Sequence, residues 1–224
     1  MRDQWYGDEK DLVKWSSLLL LARQHQADRI LQIAYYNPSE FGDIELDGHN
    51  QQIPAEVLSH FRDIRNITGL CTRPCITVLR RPFEDRTNYL EAVMDFISQF
   101  RSDKCVVFLD PDTGLEPKGK PDRRHVLNEE AQAIWEVLPS GWVYVFYQHQ
   151  TNRAGTPWVE EKRCQFAGAL DVSCSEVRVA SGPKLAPDVA FFYLVKCKNC
   201  RARVKAQAKR GRRSKHPAPD PSLG

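Results

Sequence analysis

The sequence predicts an α/β domain: a Rossmann-like, doubly wound, mainly parallel sheet with helices on both faces and an antiparallel edge. Short apolar runs such as Cys105-Val106-Val107-Phe108-Leu109 lack the polar alternation of a half-solvated strand, so both of their faces are covered. These runs take turns with segments of helical period, the pattern of crossover units between parallel strands. A chain of 224 residues, 42% of them apolar, suffices for one sizeable core.

The elements follow in order. Lys10 to Gln24 carries Leu12, Val13, Leu19 and Leu20 near helical spacing, with Asp8 as N-cap and acids in the first turn. Ile30 to Tyr36 is a buried strand stopped by Asn37-Pro38. Phe41 to Gln52 is polar and reads as a loop, and Pro54 to Ile64 as a helix with proline near its start. Cys75 to Leu79 is a strand, and Asn88 to Phe100 a helix with Leu90, Val93, Met94 and Ile97 on one face. The apolar run Cys105 to Leu109 stops abruptly at Asp110. A helix from Asn128 to Leu138, a strand from Trp142 to Tyr147 and a helix from Trp158 to Leu170 come next. Two last strands, Glu176 to Ala180 and Val189 to Val195, are joined through Gly182-Pro183 and Pro187 and form the antiparallel edge.

The charge divides the chain. Ten of the 32 Lys/Arg residues and one of the 29 acids lie from Lys196 onward, leaving 22 against 28 before it, a balance of −6. Residues 1–196 are therefore read as one mildly acidic domain. Residues 197–224 read as a basic, proline-containing tail without a fold of its own, suited to nucleic-acid phosphates. No apolar run spans a membrane, and Leu18 to Ala22 follows acids instead of a basic leader. With seven scattered cysteines, this predicts reduced thiols and a cytoplasmic setting. Cys71-x3-Cys75 and Cys197-x2-Cys200 are the thiolates that a structural zinc would use, set against two unrelated pairs.

Ligands of open α/β sheets bind outside the carboxyl ends of the strands. Three such ends are polar: Asp110-Pro111-Asp112-Thr113-Gly114-Leu115-Glu116, then Gln148-His149-Gln150 with Arg153 beyond, and Tyr35-Tyr36-Asn37-Pro38. Asp110, Asp112 and His149 are the candidate catalytic residues. Lys14, Tyr36, Asn37, Glu116, Lys118, His125, Gln148 and Arg153 are the candidate substrate contacts. Asp110 follows five apolar residues, and a desolvated carboxylate needs a cation, a metal or a donor. No Gly-rich phosphate loop follows the first strand.

Trp5-Tyr6-Gly7-Asp8 with Lys10-Asp11-Leu12-Val13-Lys14-Trp15, then Phe108 to Glu116, and Tyr147-Gln148-His149 with Arg153, resemble a group of uncharacterised bacterial proteins. More remotely, the layout resembles class I methyltransferases that modify adenine N6 in ribosomal RNA. In that family a strand ends in Asp-Pro-Pro-Tyr. The resemblance carries over Asp110 and Pro111, while Asp112 and Thr113 stand at the second proline and the aromatic. It implies a methyltransferase-like domain acting on or binding nucleic acid, with S-adenosylmethionine as cofactor and Asp110 facing the target amine. A weaker resemblance is to haloacid-dehalogenase-like phosphatases, whose Asp-x-Asp-x-Thr has its threonine one place later. The alternative from the residues is a metal-dependent phosphoesterase or nuclease with Asp110, Asp112 and Glu116 on Mg²⁺. A third reading is a non-catalytic binding module on the same fold.

Overall fold

The computed structural model describes residues 7–38, 43–55, 57, 64–150 and 157–198. Its strands are β1 (Arg29–Ile33), β2 (Asp43–Leu46), β3 (His49–Gln52), β4 (Cys75–Leu79), β5 (Cys105–Leu109), β6 (Gly114–Leu115), β7 (His125–Val126), β8 (Val143–His149), β9 (Arg178–Gly182) and β10 (Ala186–Val195). Its helices are α1 (Glu9–Gln24), α2 (Arg86–Ser98), α3 (Asn128–Val137) and α4 (Trp158–Ala169). The basic tail from residue 199, Arg153 and most of the helix read over Pro54 to Ile64 lie outside the described residues.

The main sheet has the order β4-β1-β5-β8-β10-β9. β4, β1, β5 and β8 run parallel, and β10 is antiparallel to both β8 and β9. The chain therefore reverses its direction of winding between β1 and β5, so a switch point falls between those two strands. Alternation along the strands divides the core. Leu31, Val107, Leu109, Tyr144, Phe146 and Phe192 face α2, α3 and α4. Ile30, Val106, Phe108, Val145 and Phe191 face α1. Helices thus cover both faces, which is why the central strands read as unbroken apolar runs. Gly182 of β9 lets α1 lie close, because a Cβ there would meet Val13 Cγ2 at 2.6 Å.

The strand residues Leu31, Ile33, Val106, Val107, Phe108, Val143, Val145, Phe192 and Leu194 are all buried, as apolar runs covered on both faces require. Three expectations need correction. Phe41 to Gln52 is not simply a loop, because β2 and β3 pair as a hairpin. The missed signal is Asp47-Gly48 at its tip, where both residues have positive φ (53° and 77°). That is the Asp-Gly turn which favours a two-residue hairpin. Next, β8 continues through Gln148 and His149 instead of stopping at Tyr147. Lastly, Cys164 and Cys174, expected as reduced thiols, are disulfide-bonded. Nor can one zinc unite the two cysteine pairs. Cys75 opens β4 and Cys197 follows β10, strands separated by β1, β5 and β8, about 19 Å at ~4.8 Å per strand.

Candidate functional site at the strand ends

The site begins with α1. Asp8 caps the helix by accepting from the Asp11 amide at 3.0 Å. Lys10 and Lys14, one turn apart, fall on the same stripe of the helix. Lys14 is buried (4% exposed), and its ammonium lies 2.6 Å from Asp11 Oδ1 and 3.1 Å from Asp110 Oδ2. Gln32 of β1 donates to the same Asp110 oxygen at 2.7 Å. Asp110 is itself 2% exposed. Burial opposes the charge on Lys14, but Asp110 and Asp11 outweigh it and hold the ammonium above its usual range. Burial pushes the Asp110 carboxyl above the usual carboxylate range, while Lys14 and Gln32 pull it back.

Lys10 reaches the neighbouring strand end. Its ammonium lies 2.8 Å from Asp188 Oδ2 and 3.1 Å from His149 Nε2. His149 Nε2 is 2.9 Å from Asp188, and Nδ1 is 2.9 Å from the Gln150 carbonyl oxygen, an acceptor for an Nδ1 proton. The same neighbours, Lys10 and His149, hold the Asp188 carboxyl below its usual range against the effect of partial burial. Asp110 and His149 thus sit on directly paired strands and both face α1, as a shared edge requires. They do not touch each other. Lys14 also lies over the Tyr147 ring, 5.8 Å from its centroid.

A second group lines the switch point. Asn37 Nδ2 donates to Asp112 Oδ2 at 3.2 Å and to the Tyr35 carbonyl at 3.1 Å, which ties the end of β1 to the end of β5. Beside it, the half-buried Arg80 guanidinium lies 5.1 Å from the centroid of the Tyr36 ring and donates to its hydroxyl at 3.3 Å. Arg80 was not anticipated. The signal that could have found it is Arg80-Arg81 directly after the apolar strand Cys75 to Leu79.

The loop after β5 folds back on β8. The Leu115 amide donates to Gln148 Oε1 at 2.9 Å, and the His149 amide to the Thr113 carbonyl at 2.7 Å. Gln148 is fully buried, so it holds this loop and makes no solvent-facing contact. Glu116 accepts from the Asn128 amide at the start of α3, at 3.3 Å. Lys118 is exposed and pairs with Glu161 at 3.1 Å. His125 packs on Asp122 at 2.8 Å, and burial holds its imidazole below its usual range, which favours the neutral form. Glu116, Lys118 and His125 therefore serve the loop and the helices, not the switch point. Another unforeseen group, Arg86, clamps both Glu130 oxygens at 2.9 Å and the His125 carbonyl at 3.1 Å.

The donor sets decide what the site can hold. Asp110, Asp112 and Glu116 meet an ammonium, an amide nitrogen and a helix amide, respectively. They do not converge as the oxygen shell of Mg²⁺ requires. Nor does the turn after β1 fit S-adenosylmethionine in the manner of the resembled family. In place of a glycine loop, Tyr35 sits at φ 44° with its amide bound to the Tyr89 hydroxyl at 2.9 Å, and its ring packs on Phe83 and Tyr89. No helix among the described residues is long and apolar enough to cross a membrane. No protein-family model, curated protein or solved structure matches this chain.

Proposed function

We propose that this chain is a methyltransferase-like α/β domain that binds nucleic acid at the switch point between β1 and β5. The observation that carries the reading is the pairing there of a stacked Tyr36–Arg80 unit with the Asn37–Asp112 pair. Single-stranded bases are recognised by stacking on aromatic or guanidinium planes and by hydrogen bonds to their edges. A guanidinium face beside an amide and a carboxylate supplies both. Asp110 is a positioning group in this reading, since its carboxylate holds Lys14 and Gln32. Lys10 and the basic tail add charge for phosphates. The tail supplies affinity without sequence preference, whereas the switch point supplies base preference.

The test is fluorescence anisotropy with labelled single-stranded RNA and DNA at several salt concentrations. Arg80→Ala and Asn37→Ala should weaken binding at fixed salt by about 1–3 kcal/mol, the range for one stacked base. Deleting residues 201–224 should instead lower the salt slope and keep the base preference. Unchanged affinity in both point variants would refute the site. A parallel thermal-shift panel with S-adenosylmethionine, S-adenosylhomocysteine, Mg²⁺ and Mn²⁺ tests the enzymatic readings, because a true ligand raises the melting temperature by mass action.

A further inference from the structure

Glu160 and Cys164 lie one turn apart on α4, and Cys174 opens the 3-10 turn Cys174–Glu176 that leads into β9. Glu160 Oε1 is 3.5 Å from Cys164 Sγ and 3.7 Å from Cys174 Sγ. Because the two sulfurs are disulfide-bonded, neither carries a proton to donate to that oxygen. Arg163 pairs with that same oxygen and keeps the carboxylate beside both sulfurs. Tetrahedral zinc, with bonds of about 2.3 Å to thiolate and about 2.0–2.2 Å to carboxylate, sets oxygen and sulfur roughly 3.5–3.7 Å apart. Glu160 stands at that separation from both sulfurs, and reduction lets the bonded sulfurs part to the roughly 3.8 Å that two thiolates on one zinc require. The charges also balance. Two thiolates and one carboxylate carry −3, a zinc ion supplies +2, and Arg163, 2.6 Å from Glu160 Oε1, supplies the last positive charge. Among the described residues this is the only cluster of three or more His, Cys, Asp or Glu ligand atoms within 4.8 Å of one another. Glu160 and Cys164 are exposed, so an ion can enter and water can take the fourth position.

We propose that Glu160, Cys164 and Cys174 form a zinc site in the reduced protein, which the disulfide closes in the oxidised protein. Opening it takes two electrons. A phosphine reductant supplies them, takes its oxygen from water and leaves two thiols, and zinc binding then releases the two thiol protons to solvent. In the reverse direction, hydrogen peroxide takes two electrons from the two thiolates and two protons from solvent. The S–S bond forms, two waters result and zinc leaves.

The test uses the full chain, phosphine-reduced, with Co²⁺ as an optical probe and Zn²⁺ as competitor. The reduced parent should bind one equivalent of Co²⁺, show thiolate-to-cobalt charge-transfer absorption, and lose it on adding zinc. Cys71→Ser/Cys75→Ser and Cys197→Ser/Cys200→Ser should keep that signal, and Cys164→Ser/Cys174→Ser should lose it. Glu160→Gln, which leaves both thiols in place, should weaken binding by about tenfold or more, since even outer-shell losses cost 10–100-fold. Binding that survives in Cys164→Ser/Cys174→Ser, or that is missing from the reduced parent, would overturn the proposal. Binding lost with Cys197 and Cys200, or unchanged in Glu160→Gln, would do the same.

Discussion

Lys14→Met removes the ammonium that pairs with two buried acids, Asp11 and Asp110. In the parent, Asp11, Lys14 and Asp110 are buried (5%, 4% and 2% exposed), and the ammonium lies within 3.1 Å of both carboxylates. Methionine keeps the length of the side chain and fills the same space, so little packing is lost. What remains is two buried carboxylates that have lost the Lys14 ammonium. Breaking a buried pair by removing one partner costs about 3–5 kcal/mol. Asp110→Asn should cost less, about 1–3 kcal/mol, because Lys14 keeps Asp11 at 2.6 Å and one charge-assisted hydrogen bond is weakened. The double variant Lys14→Met/Asp110→Asn should recover part of the first loss, because only Asp11 is then left charged. Urea unfolding at neutral pH measures all three midpoints, with an unchanged slope as the check on comparability. If Lys14→Met costs no more than Asp110→Asn, the ammonium is not the keystone of the cluster and the reasoning fails.

Phe108→Ala should cost about 3–5 kcal/mol by urea unfolding, because the ring is fully buried beneath α1 and its loss leaves a cavity. Gly114→Ala should destabilise the loop after β5, because Gly114 has φ +138° and a Cβ there would collide with the Gln148 side-chain amide. Hydrogen exchange of the Leu115 and His149 amides should accelerate in that variant, and unchanged protection would refute the collision. Asp188 has its carboxyl lowered by Lys10 and His149, so its stabilising contribution is present above the ordinary carboxylate pKa and is lost as pH falls through the folded value. Asp188→Asn should therefore flatten the acid limb of the stability–pH curve, and an identical limb would remove Asp188 from the account.

The fold was largely legible because its signal is one of burial. An unbroken apolar run such as Cys105 to Leu109 has few alternatives to a strand covered on both faces, and the structure covers it on both. The limits of β8 were not legible for the converse reason. Gln148 and His149 are polar in sequence, yet Gln148 is fully buried because the Leu115 amide and the Thr113 carbonyl satisfy its side chain. A partner distant in sequence leaves no mark on local periodicity. The candidate site was legible as a set of strand ends but not as a division of labour. Nothing in Asp110-Pro111-Asp112 says that the first acid turns toward α1 and the second toward Asn37. That follows from the pleat, which sends Asp110 to the same face as Val106 and Phe108, where α1 lies.

The same geometry explains why charge, and not apolar packing alone, fixes α1 on the sheet. Leu12 and Leu20 are exposed while Val13, Leu18 and Leu21 are buried, so the apolar stripe sets which side of α1 faces inward. An apolar stripe specifies position along the axis only weakly. Lys10 and Lys14 are one turn apart, and their acids lie at the ends of two different strands, β5 for Asp110 and β10 for Asp188. A slide of α1 by one turn, about 5.4 Å, would carry Lys14, with Asp11 beside it on the same helix, toward His149 and Asp188 and away from the buried Asp110. The two ion pairs therefore select a single register, the use of buried charge best attested elsewhere. It follows that the acid which stands out most in the sequence, Asp110, is engaged in placing a helix. In the proposed nucleic-acid reading, ligand chemistry at this edge then falls to the half-buried groups beside it, Asn37, Asp112 and Arg80 on Tyr36.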